Sequence, residues 1–233
     1  MTRAVSFNFT QMPHDRACGL PLIIAHRGGK FWEGGSFSYI SESIRDGADI
    51  IELDVRLRRG RYVVQHGPLG PVQGLLESAL IALVSGVALY LDVKGRGIDV
   101  NSLVQHVRSR CSNPLIVGSF DLGLLRAIED PAVVRNLHCL WPGRDSSGHL
   151  SELNWINPLC YFVTKRVAAD IQAAGLRFVP SGNLIFKKDE FMGNQLQYAK
   201  WGAYAISTYH VKEMKSLLKA NLRPSPCRTI RSS

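Results

Sequence analysis

Two carboxylates, Glu52 and Asp54, interrupt an otherwise apolar run formed by Ile50, Ile51, Leu53 and Val55. Residues two apart on a strand share a face, so both acids point the same way. Side by side and out of water they repel each other and lose hydration, at a cost of about several kcal/mol unless a cation compensates. Hard oxygen donors suit Mg2+ or Ca2+ better than zinc. Asp92 and Lys94 repeat the device on another apolar run. Asp92 would complete the carboxylate set, and Lys94 would hold an anionic oxygen as a compact positive charge. The alternative is a set of internal salt bridges in which Lys94 or Arg56 neutralises the acids.

Two histidines stand at the ends of strand-like runs. His26 follows residues 22–25 and His66 follows residues 61–65. A pair of imidazoles beside three acids and a lysine suits general acid–base work, one removing a proton while the other gives one to a leaving group. Arg27 follows His26 directly and suits bidentate binding of a phosphate. Gly28 and Gly29 would let the backbone approach a ligand. Glu33 reads equally well as a polar group at the rim and as an ordinary loop acid. His106 falls in a helical pattern and reads as a surface residue. His138, His149 and His210 have no comparable context.

Short β-branched runs alternate with segments of helical period, which defines an α/β fold. Strands are predicted at 22–26, 49–55, 61–66, 88–94, 115–118, 137–141, 177–179 and 204–207. Helices are predicted after Ser36 up to Gly47, at 75–84, 100–110, 122–128, 167–174 and 211–222. About eight strands fit a (β/α)8 barrel, whose active sites form at the C-terminal ends of the strands. The histidines, the acids and Lys94 all fall at such ends. The turn between Val55 and Tyr62 is too short for a crossover helix, so this pair reads as a hairpin-like excursion. The chain of 233 residues reads as one domain with its core at about 20–222 and a loose, basic tail.

Composition narrows the partners. Formal net charge is +9, which favours anionic ligands. The basic residues are mostly scattered; the clusters are Arg56 to Arg61 and the tail, and they read as solvated surface. No nucleic-acid motif accompanies them, so a small-molecule ligand is expected and nucleic acid is not. No apolar run reaches the roughly 18 residues of a membrane span, and no signal-like stretch opens the sequence. A soluble, cytoplasmic protein is the expectation. Cys18, Cys111, Cys139, Cys160 and Cys227 are odd in number and lack C-x-x-C spacing, as expected of free thiols.

Three stretches carry a resemblance: Ala25-His26-Arg27-Gly28, Gly47-Ala48-Asp49-Ile50-Ile51-Glu52-Leu53-Asp54-Val55, and Val63-Val64-Gln65-His66. In order and spacing they resemble the glycerophosphodiester phosphodiesterase family. Asp92-Val93-Lys94 corresponds to that family's Glu-x-Lys strand, and Ile156-Asn157-Pro158 and the segment 202–208 are similar to its late barrel segments. The resemblance implies a distorted TIM barrel that cleaves small phosphodiesters such as glycerophosphocholine. It implies one divalent cation, Mg2+ or Ca2+, on Glu52, Asp54 and Asp92. His26 and His66 would be the acid–base pair, and Arg27 and Lys94 would hold the phosphate. Attack on phosphorus would come from a neighbouring substrate hydroxyl or from water.

The sequence departs from the family at several loops. Trp32-Glu33-Gly34-Gly35-Ser36 replaces the usual Pro-Glu-Asn-Thr, Gly67 replaces the Asp after the second histidine, and Ser207-Thr208-Tyr209 replaces the usual Thr-Asp. Residues 178–183 replace a tryptophan-containing strand. These are the parts that shape a pocket for the alcohol. Asp-x-Lys also looks like the sphingomyelinase D toxins, which form cyclic phosphates, and a branch acting on sugar phosphodiesters such as agrocinopines is a further relative. Phosphoryl transfer, cyclic-phosphate formation and a catalytically silent, phosphate-binding barrel therefore stand beside hydrolysis as readings.

Overall fold

The structure, a computed structural model, describes residues 20–29, 37–139, 152–159, 163–180 and 188–222. Glu33, His149, Cys18, Cys160, Cys227 and the basic tail lie outside these residues. The strands are β1 (Leu22–Ala25), β2 (Ile50–Arg58), β3 (Arg61–Val64), β4 (Gly74–Leu75), β5 (Ala88–Val93), β6 (Leu115–Ser119), β7 (Val133–Cys139), β8 (Trp155–Pro158), β9 (Arg177–Phe178) and β10 (Ala205–Thr208). The helices are α1 (Ser38–Asp46), α2 (Leu76–Ile81), α3 (Val100–Arg108), α4 (Leu122–Arg126), α5 (Lys165–Ala173), α6 (Lys188–Lys200) and α7 (Val211–Asn221).

Eight strands run in the order β10-β1-β2-β5-β6-β7-β8-β9, and all neighbours in that order pair in parallel. No ladder joins β9 to β10 among the described residues. Tyr204 N donates to Phe178 O at 2.7 Å across that gap. Side-chain alternation then sorts the apolar residues into two layers. Leu22, Ile24, Ile50, Ala88, Tyr90, Ile116, Val134, Trp155, Val179 and Ala205 form one cluster. Every parallel strand contributes to it, Val179 from just beyond β9, as the filled interior of a barrel requires. Residues of the other parity, such as Ile51, Leu53, Leu89, Leu91 and Val117, join the inner faces of the helices in a second cluster. Burial on both faces explains the near-continuous apolar runs. The fold is an α/β, distorted (β/α)8 barrel, as expected.

Local signals account for several element ends. Gly47 closes α1 at φ 96, a left-handed value that suits glycine. Asp99, Asp121 and Thr164 cap α3, α4 and α5 by accepting from backbone N–H groups, each cap worth about 1 kcal/mol. The β2–β3 pair is the antiparallel hairpin that the short turn predicted. Its central residues, Arg59 and Gly60, have φ of 50 and 73, as two-residue hairpin turns require.

Three expectations need correction. Residues 61–66 are not a barrel strand; β8 takes that place in the count of eight. The strand expected at 137–141 lies earlier, as Val133–Cys139. Helix α6 lacks a clear amphipathic pattern and was not expected. No helix among the described residues is long and apolar enough to cross a membrane.

Candidate active site

The interior parity that carries apolar residues at the bottom of the barrel carries polar ones at the top. On β2 it runs Ile50, Glu52, Asp54; on β5 it runs Ala88, Tyr90, Asp92 and then Lys94. Register sets Asp54 beside Asp92 on the paired strands. All three carboxylates are buried, 2–3% exposed, and each offers an oxygen within 4.8 Å of the others. Lys94 Nζ lies 3.3 Å from Asp54 Oδ1 and is also bonded to Asp92 Oδ2. Arg27 Nε lies 3.1 Å from Asp54 Oδ2.

Internal salt bridging therefore exists, as the alternative reading expected for Lys94. It does not satisfy the cluster. Two fixed cations, Arg27 and Lys94, face three carboxylates. Glu52 Oε1, both Asp54 oxygens and Asp92 Oδ1 are buried without a hydrogen bond. Burial, then the charge of Glu52, pushes the Asp54 carboxyl up, with Asp92 adding to it and Lys94 opposing. Glu52 is held low even though burial, its largest influence, works the other way; His26 and the Arg27 N–H overcome it. Converging buried carboxylates that outnumber the cations beside them could hold a metal ion.

His26 does not end the strand; it opens a tight turn, His26–Gly29, in which Arg27, Gly28 and Gly29 have φ of 50, 72 and 99. The left-handed path folds the chain back so that Arg27 N donates to Glu52 Oε2 at 2.6 Å. It also buries the Arg27 side chain, 5% exposed. A non-glycine residue held there stores backbone strain, which is common at functional sites. The glycines serve α1 here. A Cβ on Gly28 would strike the Tyr39 ring and one on Gly29 would strike Ser43, while Ser43 Oγ donates to Gly28 O at 2.7 Å. His26 Nδ1 lies 3.0 Å from Glu52 Oε2, and its ring meets Tyr209 edge to face at 4.8 Å.

His66 stands at the lip beyond β3. Partial withdrawal from water, then the positive charges of Arg27, Lys94 and His26, pushes its pKa down from 6.5 to about 4. Its backbone is held by the hairpin. Arg56 Nε and Nη2 donate to His66 O at 3.0 and 2.9 Å. Arg58 Nε donates to Gln65 Oε1 at 2.9 Å, and its Nη2 donates to Pro68 O. Arg56 and Arg58, on β2, thus brace the loop that carries His66; Arg58, Arg59 and Arg61 are exposed as expected. Arg56 neutralises none of the three acids in the described contacts.

The other side of the mouth holds residues that the sequence did not single out. His138, on β7, lies with Nδ1 3.8 Å from Asp92 Oδ2, so the expectation that it lacks context is corrected. Burial lowers its pKa. Phe120 stacks near it at 5.1 Å and lies 5.9 Å from Lys94 Nζ. Asn136 and Asn157 are buried beneath. His106 is half-buried between Tyr62, at 5.0 Å, and Glu77, at 3.5 Å, and is less of a surface residue than its pattern suggested. His210 sits at the N-cap of α7. Cys111 and Cys139 are free thiols, and burial pushes both up.

Fold and site together define an α/β barrel with a buried acid cluster, two histidines and two basic side chains at the strand ends. No family model matches the sequence, and no curated protein matches it. Solved structures do match the fold. The structure of an Oleispira antarctica phosphodiesterase in complex with the product sn-glycerol-3-phosphate is similar over 84% of this chain and 96% of that one, with a TM-score of 0.72 and 18% identity. A glycerophosphodiester phosphodiesterase from Parabacteroides distasonis matches over 86% and 97%, with a TM-score of 0.70 and 16% identity. One from Agrobacterium tumefaciens matches over 84% and 100%, with a TM-score of 0.63 and 18% identity. The chain has the barrel fold of these phosphodiesterases.

Proposed function

We propose that this chain is a divalent-metal-dependent phosphodiesterase acting on small glycerophosphodiesters or related sugar and alcohol phosphodiesters. The observation that carries the reading is the cluster of three buried carboxylates, more than the two fixed cations Arg27 and Lys94 beside them, at the mouth of a barrel. The likeness in fold to glycerophosphodiester phosphodiesterases supports it, as does the product, sn-glycerol-3-phosphate, in one of those structures.

In this reading Glu52, Asp54 and Asp92 hold one Mg2+ or Ca2+. The bound cation would polarise a phosphoryl oxygen and neutralise charge developing on it. Arg27 and Lys94 hold the phosphate at the same site; both side chains are fixed by the acids before substrate arrives, so little reorganisation is needed. His66, neutral near pH 7 with a pKa of about 4, takes the proton from the attacking hydroxyl of water or of the substrate. His26, oriented by Glu52 on Nδ1, gives a proton from its other nitrogen to the departing alkoxide. One P–O bond forms, one breaks, and the two protons balance.

Incubation of the protein with glycerophosphocholine, other glycerophosphodiesters and sugar phosphodiesters, with Mg2+ or Ca2+, tests the reading. Phosphorus NMR of the products separates hydrolysis from transfer and from a cyclic phosphate. Metal and ligand binding with no turnover of any phosphodiester would favour a silent, phosphate-binding barrel instead.

A further inference from the structure

His138 takes no part in the mechanism above, yet it is hydrogen-bonded to Tyr90 on one ring nitrogen and faces Asp92 with the other. Its Nε2 is hydrogen-bonded to the Tyr90 hydroxyl. The Tyr90 oxygen also accepts from Asn136 Nδ2 at 2.6 Å and makes a further side-chain hydrogen bond with Asn157. In both amides Oδ1 has no partner, so the N–H end of each faces the phenol. A phenol has one hydrogen to give. With amide N–H groups on the oxygen, that hydrogen points to His138 Nε2. Nε2 is then an acceptor, the imidazole is neutral, and its proton sits on Nδ1, the nitrogen 3.8 Å from Asp92 Oδ2. The same Oδ2 receives Lys94, while Oδ1 has no hydrogen bond.

We propose that Tyr90 and His138 form a positioning device for Asp92: with Lys94 bonded to Oδ2 and the Nδ1–H of His138 directed at the same oxygen from 3.8 Å, Oδ1 alone is presented to the cation. The inference rests on the metal-binding reading above. His138 lies outside the group of cation-facing residues, so it acts through Asp92. An aspartate limited to one oxygen suits the compact octahedral shell of Mg2+ better than the larger, often bidentate shell of Ca2+. Gly118 makes the device possible. It pairs with Asp92 on one side and Asn136 on the other, and a Cβ there would come within 2.7 Å of His138 Nε2 and closer still to Tyr90. Partners that orient a metal ligand from outside its shell commonly change metal affinity by about 10–100-fold.

Two measurements test the device. In the metal-free full chain, 15N NMR of the histidines is expected to show His138 protonated on Nδ1 with Nε2 as acceptor. An Nε2–H tautomer would overturn the proposal. In calorimetric titrations with Mg2+, His138→Phe is expected to weaken binding by about 10–100-fold. His138→Asn, whose amide N–H takes the place of Nδ1–H, is expected to retain most of the affinity. Tyr90→Phe, which keeps the ring volume, provides a second variant and is expected to lose the tautomer preference and part of the affinity. If the wild type binds Mg2+ and His138→Phe and Tyr90→Phe bind it equally well, the positioning role falls while the metal site stands. If the wild type binds neither Mg2+ nor Ca2+, the metal reading falls, and this role with it.

Discussion

The two sides of the barrel mouth are built from different chemistry. The β1–β2–β5 side carries His26, Arg27, Glu52, Asp54, Asp92 and Lys94, a dense set of charges with oxygens left unsatisfied. The β6–β7–β8 side carries Gly118, Phe120, Asn136, His138 and Asn157, with no fixed charge. In the proposed reading the first side stabilises charge on a phosphoryl centre. The second meets the first where His138 Nδ1 faces Asp92 at 3.8 Å and the Phe120 ring faces Lys94. The proposed reading gives reaction to one wall and orientation to the other, and the contrast can be broken by substitutions on each.

The largest effect is expected from the charged wall. Asp54→Asn should lower kcat/KM by on the order of 10^3-fold, because it removes several kcal/mol of charge stabilisation that depends on the cation. The same variant should be more stable than the parent in the absence of metal, by about 1–3 kcal/mol, since a crowded buried carboxylate is relieved. Thermal unfolding with and without Mg2+ checks both halves: the cation should stabilise the parent and have little effect on the variant. A variant less stable than the metal-free parent would argue that the cluster is satisfied by its salt bridges alone.

Next come the histidines. His26→Ala and His66→Ala should each reduce the rate by about 100-fold or more. A base must be unprotonated, so the limb of kcat/KM assigned to His66 rises as pH rises through about 4, and it should be absent in His66→Ala. A limb centred near 6.5, the ordinary histidine value, would contradict the electrostatic description of the lip. The smallest effect belongs to the neutral wall. Gly118→Ala should cost about 1–3 kcal/mol of stability by overpacking Tyr90 and His138, measured by chemical denaturation. An unchanged midpoint would show that the wall is looser than its contacts indicate.

The charged wall was legible in the sequence because a charge in an apolar strand has few reasons to be there. Glu52, Asp54 and Asp92 stand out from their neighbours, and parity alone puts the first two on one face. The neutral wall was not legible, for a physical reason. Tyr90, Asn136 and His138 fall in strands where tyrosine and single polar residues are ordinary, and the bonds that join Tyr90 to the other two span 46 and 48 residues. Only strand register brings them together. The displacement of β7 from its expected place hid His138 further, because the expected strand began at 137. The bracing role of Arg56 and Arg58 is hidden for a related reason. Their partners are backbone and amide oxygens of the loop at 65–68, which no charge pattern reveals. Tyr209 was noted only as a departure from a motif, and its ring against His26 follows from the proximity of β10 to β1.

The central claim is that the buried acids work through a bound cation on a phosphodiester. Its most direct test is turnover of a glycerophosphodiester panel by the protein as purified, after dialysis against a chelator, and after Mg2+ or Ca2+ is restored. The expected result is activity that disappears with the chelator and returns with the cation. Turnover that persists unchanged through chelation would contradict it.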